Sequence, residues 1–148
     1  MDAQENKRLI MEGYRLFQTG DIPALLARYR DDAEWVIPDA QSVPFAGTYH
    51  GKAEIAQFFA RLDAAVDTIA FTPKEFIAEG DKVVVIGDAT WSAKPTGRSF
   101  GGPWVHVFTV RDGKIAQFQS YTDTAAAEHA FLPDQPGQRP GAGAPMHH

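Results

Sequence analysis

Three consecutive strand-like runs, joined by short turns, constrain this chain more than any other feature. Each run is rich in β-branched and aromatic residues, and the turns between them are Pro95-Thr96-Gly97 and Asp112-Gly113. Connections this short join antiparallel neighbours. The sequence therefore predicts a three-stranded meander, with strands at residues 82–94, 99–111 and 114–122.

Alternation along these strands sorts their side chains onto two faces. In the middle strand Trp104, His106 and Phe108 share one face, which we take as the inner face. The opposite face carries Val105 and Val107, together with Val84, Ile86 and Asp88 from the strand before. Neither face is plainly polar, so we expect both to be covered, one by helices of the chain and one by a second subunit.

Length and composition fit one globular domain with a core of its own. The chain has 148 residues, of which 44% are apolar, and no cysteine, so disulfides and thiol chemistry are excluded. A net charge of −5 without a basic cluster argues against nucleic acid or an anionic membrane as the main partner. No signal-like or membrane-spanning run is visible, and we expect a cytoplasmic protein.

The remaining segments alternate between helical and extended patterns. Gly20 stops the first helix, and Asp21 with Pro23 begins the second. The predicted helices are residues 6–19, 21–30, 51–66 and 124–131, the further strands are 33–38 and 68–78, and residues 39–50 form a loop. This order predicts an α+β domain, with helices on one face of a curved antiparallel sheet.

The last residues differ in composition from the rest. Residues 132–148 are rich in Pro and Gly and poor in apolar groups, so we expect a domain at 1–131 followed by a disordered tail. His147 and His148 end the chain, but two imidazoles without a third ligand make a weak metal site, and we expect no specific metal.

The order of elements and several short motifs resemble the nuclear transport factor two-like superfamily, in its SnoaL-like and ketosteroid isomerase-related branch. The motifs are Gly20-Asp21, the stretches 29–33, 47–51 and 95–98, and the ending 112–123. The resemblance implies a cone-shaped, cystatin-like α+β barrel with an apolar interior pocket. It also implies a homodimer through the outer sheet face, which would cover Val84, Ile86, Val105 and Val107.

The catalytic residues of ketosteroid isomerases are not matched. Their general-base aspartate corresponds to Ile37, which cannot move a proton, and their oxyanion-stabilising acid corresponds to His106. Their oxyanion tyrosine falls near Gly13 and Tyr14, one step out of register. The resemblance therefore implies the fold without the familiar steroid isomerisation.

The limonene-type epoxide hydrolases share the Pro-Thr-Gly-Arg-Ser turn at 95–99. The positions that match their Asp-Arg-Asp set fall at about Ala89, Gly87 and Ser120, so that set is absent too. This leaves His106 as the strongly titratable residue on the predicted inner face. We expect it to act as a general base or as a donor to an oxyanion, with Tyr14 and Ser120 as further catalytic candidates that polarise or orient. A histidine merely satisfied by Ser120, Tyr14 or a backbone carbonyl is the alternative.

Four aromatic residues are expected to line the pocket, although core packing explains each of them equally well. They are Trp35, Trp91, Trp104 and Phe118. Thr122 should point inward by parity, and Asp39 lies in the loop over the predicted mouth, where it either gates the pocket or is simply solvated. These residues complete the predicted ligand-binding set.

The function that this set favours is cofactor-independent acid–base chemistry on a small apolar cyclic or carbonyl compound. The reaction would be an isomerisation, cyclisation, dehydration or hydrolysis. The glycines at 97, 101, 102 and 113 sit in hairpins and not in a phosphate-binding loop, so we expect no cofactor. A non-catalytic carrier or sensor, and a dimerisation module, stay open as alternatives.

Overall fold

The computed structural model of the chain describes residues 2–133. Four helices and six strands follow in the order α1 (Ala3–Thr19), α2 (Ile22–Leu26), β1 (Tyr29–Ile37), β2 (Gly47–His50), α3 (Gly51–Ala65), β3 (Val66–Glu79), β4 (Lys82–Ala93), β5 (Ser99–Arg111), β6 (Lys114–Tyr121) and α4 (Thr124–Phe131). The predicted α+β fold with a curved sheet is confirmed. The predicted tail from residue 134 onward, with His147 and His148, lies outside the described residues.

The six strands form one sheet in the order β2-β1-β6-β5-β4-β3. The sheet is curved and does not close, because β2 and β3 are both edge strands. The predicted meander is β4, β5 and β6, and these strands pair antiparallel. One pairing differs from the expected antiparallel sheet, since β1 runs parallel to β6, with Trp35 beside Phe118.

Several element boundaries also differ from prediction, two of them because of where β1 begins and what it pairs with. Residues 47–50, assigned to a loop, form the edge strand β2 by pairing with residues 34–37 of β1. The second helix ends at Leu26, not at residue 30, because β1 already begins at Tyr29, whose ring is fully buried. Both differences arise from contacts with distant parts of the chain, which outweigh local propensity.

Local signals account well for the helix ends. Asp2 caps α1 through a capping box with Glu5, and Gly20 ends it in the left-handed conformation at φ 80°. Asp21 accepts a hydrogen bond from the Ala24 amide at the start of α2, and Asp123 does the same for the Ala126 amide at the start of α4. Asp2 and Gly20 therefore set the two ends of α1, and Asp21 and Asp123 set the starts of α2 and α4.

The two faces of the meander follow the predicted alternation. Val83, Val85 and Ala89 of β4 are buried under the helices, while Val84 and Ile86 on the other face are half-buried. A β-bulge on β6, where Ala116 has no partner in β5, lies opposite Thr109 and Val110, and both of these β5 residues are buried. Thr109 accepts a hydrogen bond from Lys82 Nζ at 2.7 Å.

The helices pack against the inner face of the sheet. α1 packs against β3 and β4, and α3 packs against β1. The second subunit expected on the outer face stays a prediction. Within residues 2–133 no helix is long and apolar enough to cross a membrane.

Candidate ligand-binding cavity

A cavity of about 140 Å³ lies between the inner face of the sheet and the helices. Most of its lining is aromatic or aliphatic, and the lining side chains that carry polar atoms include Tyr14, His106, Ser120 and Thr122. None of the described lining residues is an Asp, Glu, Lys or Arg. The cavity is therefore an apolar space with a small group of uncharged polar contacts, as in many small-molecule sites.

Tyr14 of α1 and His106 of β5 form the central polar contact. The Tyr14 hydroxyl lies 2.6 Å from His106 Nδ1, and the two rings lie 5.9 Å apart and nearly parallel. We assign the Tyr14 hydroxyl as the donor to Nδ1, because a phenol is a better proton donor than a neutral imidazole N–H. His106 then carries its proton on Nε2. We call these residues the Tyr14–His106 pair.

Both members of the Tyr14–His106 pair are neutral at physiological pH. Burial lowers the pKa of His106 to about 3, because the ring is surrounded by protein and a positive charge there would lose its water. Burial likewise raises the pKa of Tyr14 well above its ordinary value, with a smaller contribution from Tyr29. Part of the His106 surface stays accessible, since one side of the ring faces the cavity. The pair thus offers hydrogen bonds without charge.

Ser120 of β6 lies directly opposite His106 in the antiparallel pairing. The residue is only 6% exposed, yet its hydroxyl has no hydrogen-bond partner among residues 2–133, and neither does His106 Nε2. Both residues line the cavity. Two uncommitted polar groups on neighbouring strands therefore face the same apolar space.

A row of stacked rings holds His106 in place. Its ring lies 4.0 Å from that of Trp104 at 19° and 4.7 Å from that of Phe118 at 67°. Phe118 stacks in turn on Trp35 at 3.8 Å, and Trp104 on Phe71 at 5.1 Å. Aromatic packing of this kind on both sides leaves the imidazole little freedom to turn.

Gly87 leaves the space in which the Trp104 ring packs. A Cβ atom at this position would lie 2.3 Å from Trp104 Cζ2 and 2.7 Å from the Thr72 carbonyl oxygen. Only glycine leaves room for the indole to lie flat against β4, and the indole in turn supports the imidazole of His106. Gly87 thereby sets the position of the Trp104 ring beside His106.

Part of the cavity lining lies beside α4 and the loop after β1. Thr122, which is exposed, and Phe45, Phe100 and Ala127 line the cavity on this side. Side chains tie α4 to both neighbours: Ser42 Oγ donates to the Glu128 carbonyl at 2.7 Å and Thr96 Oγ1 to the Ala130 carbonyl at 2.6 Å. Arg98 also donates to the Leu132 carbonyl at 2.6 Å. These hydrogen bonds therefore hold α4 in place beside the cavity.

The structure brings together eight of the nine predicted site residues. Tyr14, His106, Ser120, Trp35, Trp91, Trp104, Phe118 and Thr122 all line the cavity. Asp39 does not: its side chain is exposed in the loop after β1 and is not part of the described lining, so its predicted place at the ligand receives no support.

Several lining residues on the helices and on β3 were not predicted from the sequence. They are Ile10, Leu25, Phe58, Phe59, Leu62 and Phe71. The helical spacing of the apolar residues of α3 was the signal that could have found Phe58, Phe59 and Leu62, because the apolar stripe of a helix faces the sheet it covers. Residues 2–133 contain no group of three or more His, Cys, Asp or Glu residues placed to hold a metal ion.

The fold and the cavity define an open α+β barrel-like domain with an internal apolar cavity. A family model of the SnoaL-like domain matches residues 11–118, which is well over half of the chain. The protein therefore belongs to the SnoaL-like domain family, and the resemblance read from the sequence is confirmed. A comparison with curated proteins gave no match.

Three solved structures illustrate this relationship. An NTF2-like protein from Burkholderia xenovorans is 35% identical, with a TM-score of 0.82, over 89% of this chain and 99% of its own. An NTF2-like protein of unknown function from Burkholderia pseudomallei is 30% identical, with a TM-score of 0.80, over 87% and 98%. TerC, co-crystallised with polyporic acid, is 32% identical, with a TM-score of 0.76, over 86% and 98%.

Proposed function

We propose that this protein binds a small, uncharged, ring-containing carbonyl compound in the cavity and polarises the carbonyl oxygen through His106 Nε2–H. The observation that carries the proposal is the Tyr14–His106 pair, in which the Tyr14 hydroxyl occupies Nδ1 at 2.6 Å. That hydrogen bond leaves the Nε2 proton free for a ligand. Desolvation strengthens such a hydrogen bond, because fewer water dipoles compete for it.

The chemistry supported by this arrangement is stabilisation of negative charge on the ligand oxygen. A fixed N–H donor in a water-poor site lowers the energy of an enolate or alkoxide that forms there. The described lining has no carboxylate, and an imidazole with a pKa of about 3 is a weak base. We therefore propose a cofactor-independent isomerase or cyclase type of reaction, in which the ligand carbon loses its proton to a water molecule or to a basic group of the ligand itself while His106 Nε2–H stabilises the oxyanion that forms.

A non-catalytic carrier or sensor is the second candidate. The lack of a carboxylate in the described lining favours it, since a carrier needs only apolar contact and one orienting hydrogen bond. TerC, co-crystallised with polyporic acid, supports small-molecule binding in both candidates. Structures named for isomerase and polyketide cyclase activities share the fold at 18% and 20% identity, a likeness that supports the fold alone.

The test is a binding and turnover measurement with small cyclic ketones. We expect cyclohexanone and related ketones to raise the melting temperature of the purified protein, since a ligand of the folded state stabilises it. His106→Phe keeps a planar ring for stacking but lacks the N–H, so ketones should bind about tenfold more weakly, while toluene should bind as before. Conversion followed by mass spectrometry then separates an enzyme from a carrier.

Toluene binding is the control for an intact cavity in the variant. The proposal is wrong if no cyclic ketone stabilises the wild-type protein, or if His106→Phe binds ketones and toluene with unchanged affinity. Binding of ketones without conversion of any of them would favour the carrier over the enzyme.

A further inference from the structure

The size of the cavity limits the ligand. An engineered protein cavity of about 150 Å³ holds one benzene molecule, and the cavity here measures about 140 Å³. Rings packed tightly around it leave little slack: the Trp35 and Phe118 rings, for example, lie only 3.8 Å apart. A ligand that fits the cavity without rearrangement therefore contains one ring and few substituents.

The electrostatics of the cavity limit the charge of the ligand. No described lining residue is an Asp, Glu, Lys or Arg, so neither a carboxylate nor an ammonium would find a partner of opposite charge. An unpaired ion that leaves water for such a site pays a large desolvation cost. The preferred ligand is uncharged.

The position of Ser120 adds a second polar contact. Side chains directly opposite each other on antiparallel strands have Cβ atoms about 4.5–5.5 Å apart and point to the same side of the sheet. Ser120 and His106 are such a pair, and both have an uncommitted hydrogen-bonding group at the cavity. Groups this close reach two oxygens on the same edge of a ring more readily than two oxygens on opposite edges.

From these three observations we infer that the cavity prefers an uncharged single-ring ligand with two oxygens on the same edge, one accepting from His106 Nε2–H and the other bonded to Ser120 Oγ. The inference rests on the proposed carbonyl contact with His106. It assigns to Ser120 the choice between positional isomers of one compound.

Positional isomers of hydroxycyclohexanone test the inference directly. The 2-hydroxy isomer places both oxygens on one edge, and the 4-hydroxy isomer places them on opposite edges, with equal composition and charge. By isothermal titration calorimetry we expect the 2-isomer to bind about five- to tenfold more tightly than the 4-isomer, the value of one added hydrogen bond. Cyclohexanecarboxylate should bind at least tenfold more weakly than cyclohexanone.

Two variants locate the preference. Ser120→Ala should bind the two isomers within about twofold of each other and leave cyclohexanone binding unchanged, because only the second contact is lost. Ser99→Ala is the matched control, since it removes an exposed hydroxyl of β5 that is not part of the described cavity lining, and it should keep the preference for the 2-isomer. If Ser120→Ala does not fold, the comparison of isomers on the wild-type protein still decides.

The failure of this inference can be told from the failure of the proposed function. If cyclohexanone binds through His106 but the isomers bind equally, or the 4-isomer binds more tightly, the role of Ser120 is wrong and the carbonyl contact stands. If the carboxylate binds as tightly as the ketone, the preference for uncharged ligands is wrong. If neither the ketones nor the hydroxyketones bind, both proposals are wrong.

Discussion

The two faces of one sheet differ sharply in chemistry although they come from alternate residues of the same strands. On the inner face of β5, Trp104 and His106 stack at 4.0 Å among the other aromatic rings that line the cavity. On the outer face Asp88 forms an ion pair with Lys74 at 3.6 Å, with both side chains about half exposed. The contrast shows that alternate residues of the same strands can differ completely in their access to water, which sets how far a polar group is desolvated.

Truncation of a packed inner-face ring should have the largest effect. Trp35→Ala removes a ring that stacks on Phe118 at 3.8 Å and contacts Phe59 at 5.2 Å. We expect the free energy of unfolding to fall by about 3–5 kcal/mol, as for other large-to-small changes in cores. Chemical denaturation measures the loss. Ile86→Ala on the outer face is the control, and an equal loss there would break the distinction between the faces.

The stability of the protein should depend on pH because His106 on the inner face is neutral when folded. The pKa of His106 is about 3 in the folded protein, below the value of about 6.5 in the unfolded chain. The unfolded state therefore binds the extra proton between these values, and stability falls as pH decreases through this window. From pH 6 to pH 4 the contribution of this one group is a loss of about 2 kcal/mol.

Urea titrations at several pH values, compared between the wild type and His106→Gln, isolate this contribution. The glutamine keeps an acceptor for the Tyr14 hydroxyl but does not titrate. The difference in the free energy of unfolding between the two proteins should change by about 2 kcal/mol over the window, with the wild type losing more on acidification. A constant difference would mean that His106 keeps an ordinary pKa.

Alanine substitutions at Gly87 and Gly13 should change the free energy of unfolding in opposite directions. Gly87→Ala places a methyl group 2.3 Å from Trp104 Cζ2 and should lower the free energy of unfolding by about 1–3 kcal/mol. In Gly13→Ala the new Cβ would meet Leu25 Cδ1 at 3.5 Å, which is ordinary contact. Inside α1 the alanine should stabilise by about 0.5–1 kcal/mol. Thermal unfolding of both variants measures these two changes. If Gly87→Ala is more stable than the wild type, Trp104 does not need a glycine at this position.

The outer-face ion pair should have the smallest effect. Lys74 and Asp88 are exposed to water and to salt, so Lys74→Ala should change the free energy of unfolding by less than about 1 kcal/mol. The change should shrink further in 0.5 M NaCl because salt screens the pair. A loss as large as that of Gly87→Ala, measured in the same denaturant titration, would show that this face is not simply solvated.

Much of the candidate site could be predicted because alternation is a local property. Once turns at Pro95-Thr96-Gly97 and Asp112-Gly113 were placed, parity alone put Trp104, His106 and Ser120 on one face. The lining residues of α3 and β3 were not predicted. The apolar stripe of α3 was visible in the sequence, but the sequence did not show which part of the sheet that stripe packs against. Asp39 was assigned from its position after a strand, but a short loop side chain can point to water as readily as to a pocket.

The sequence by itself determined which residues alternate, where most of the helices lie along the chain, and that the inner face is aromatic. These properties depend on neighbours a few positions away, through the period of two along a strand and the capping of helix ends. Only the tertiary structure decided the parallel pairing of β1 with β6, the edge strand β2 and the contact between Tyr14 and His106, which lie 92 positions apart. Such contacts depend on how distant elements pack, and burial among them gives His106 its lowered pKa.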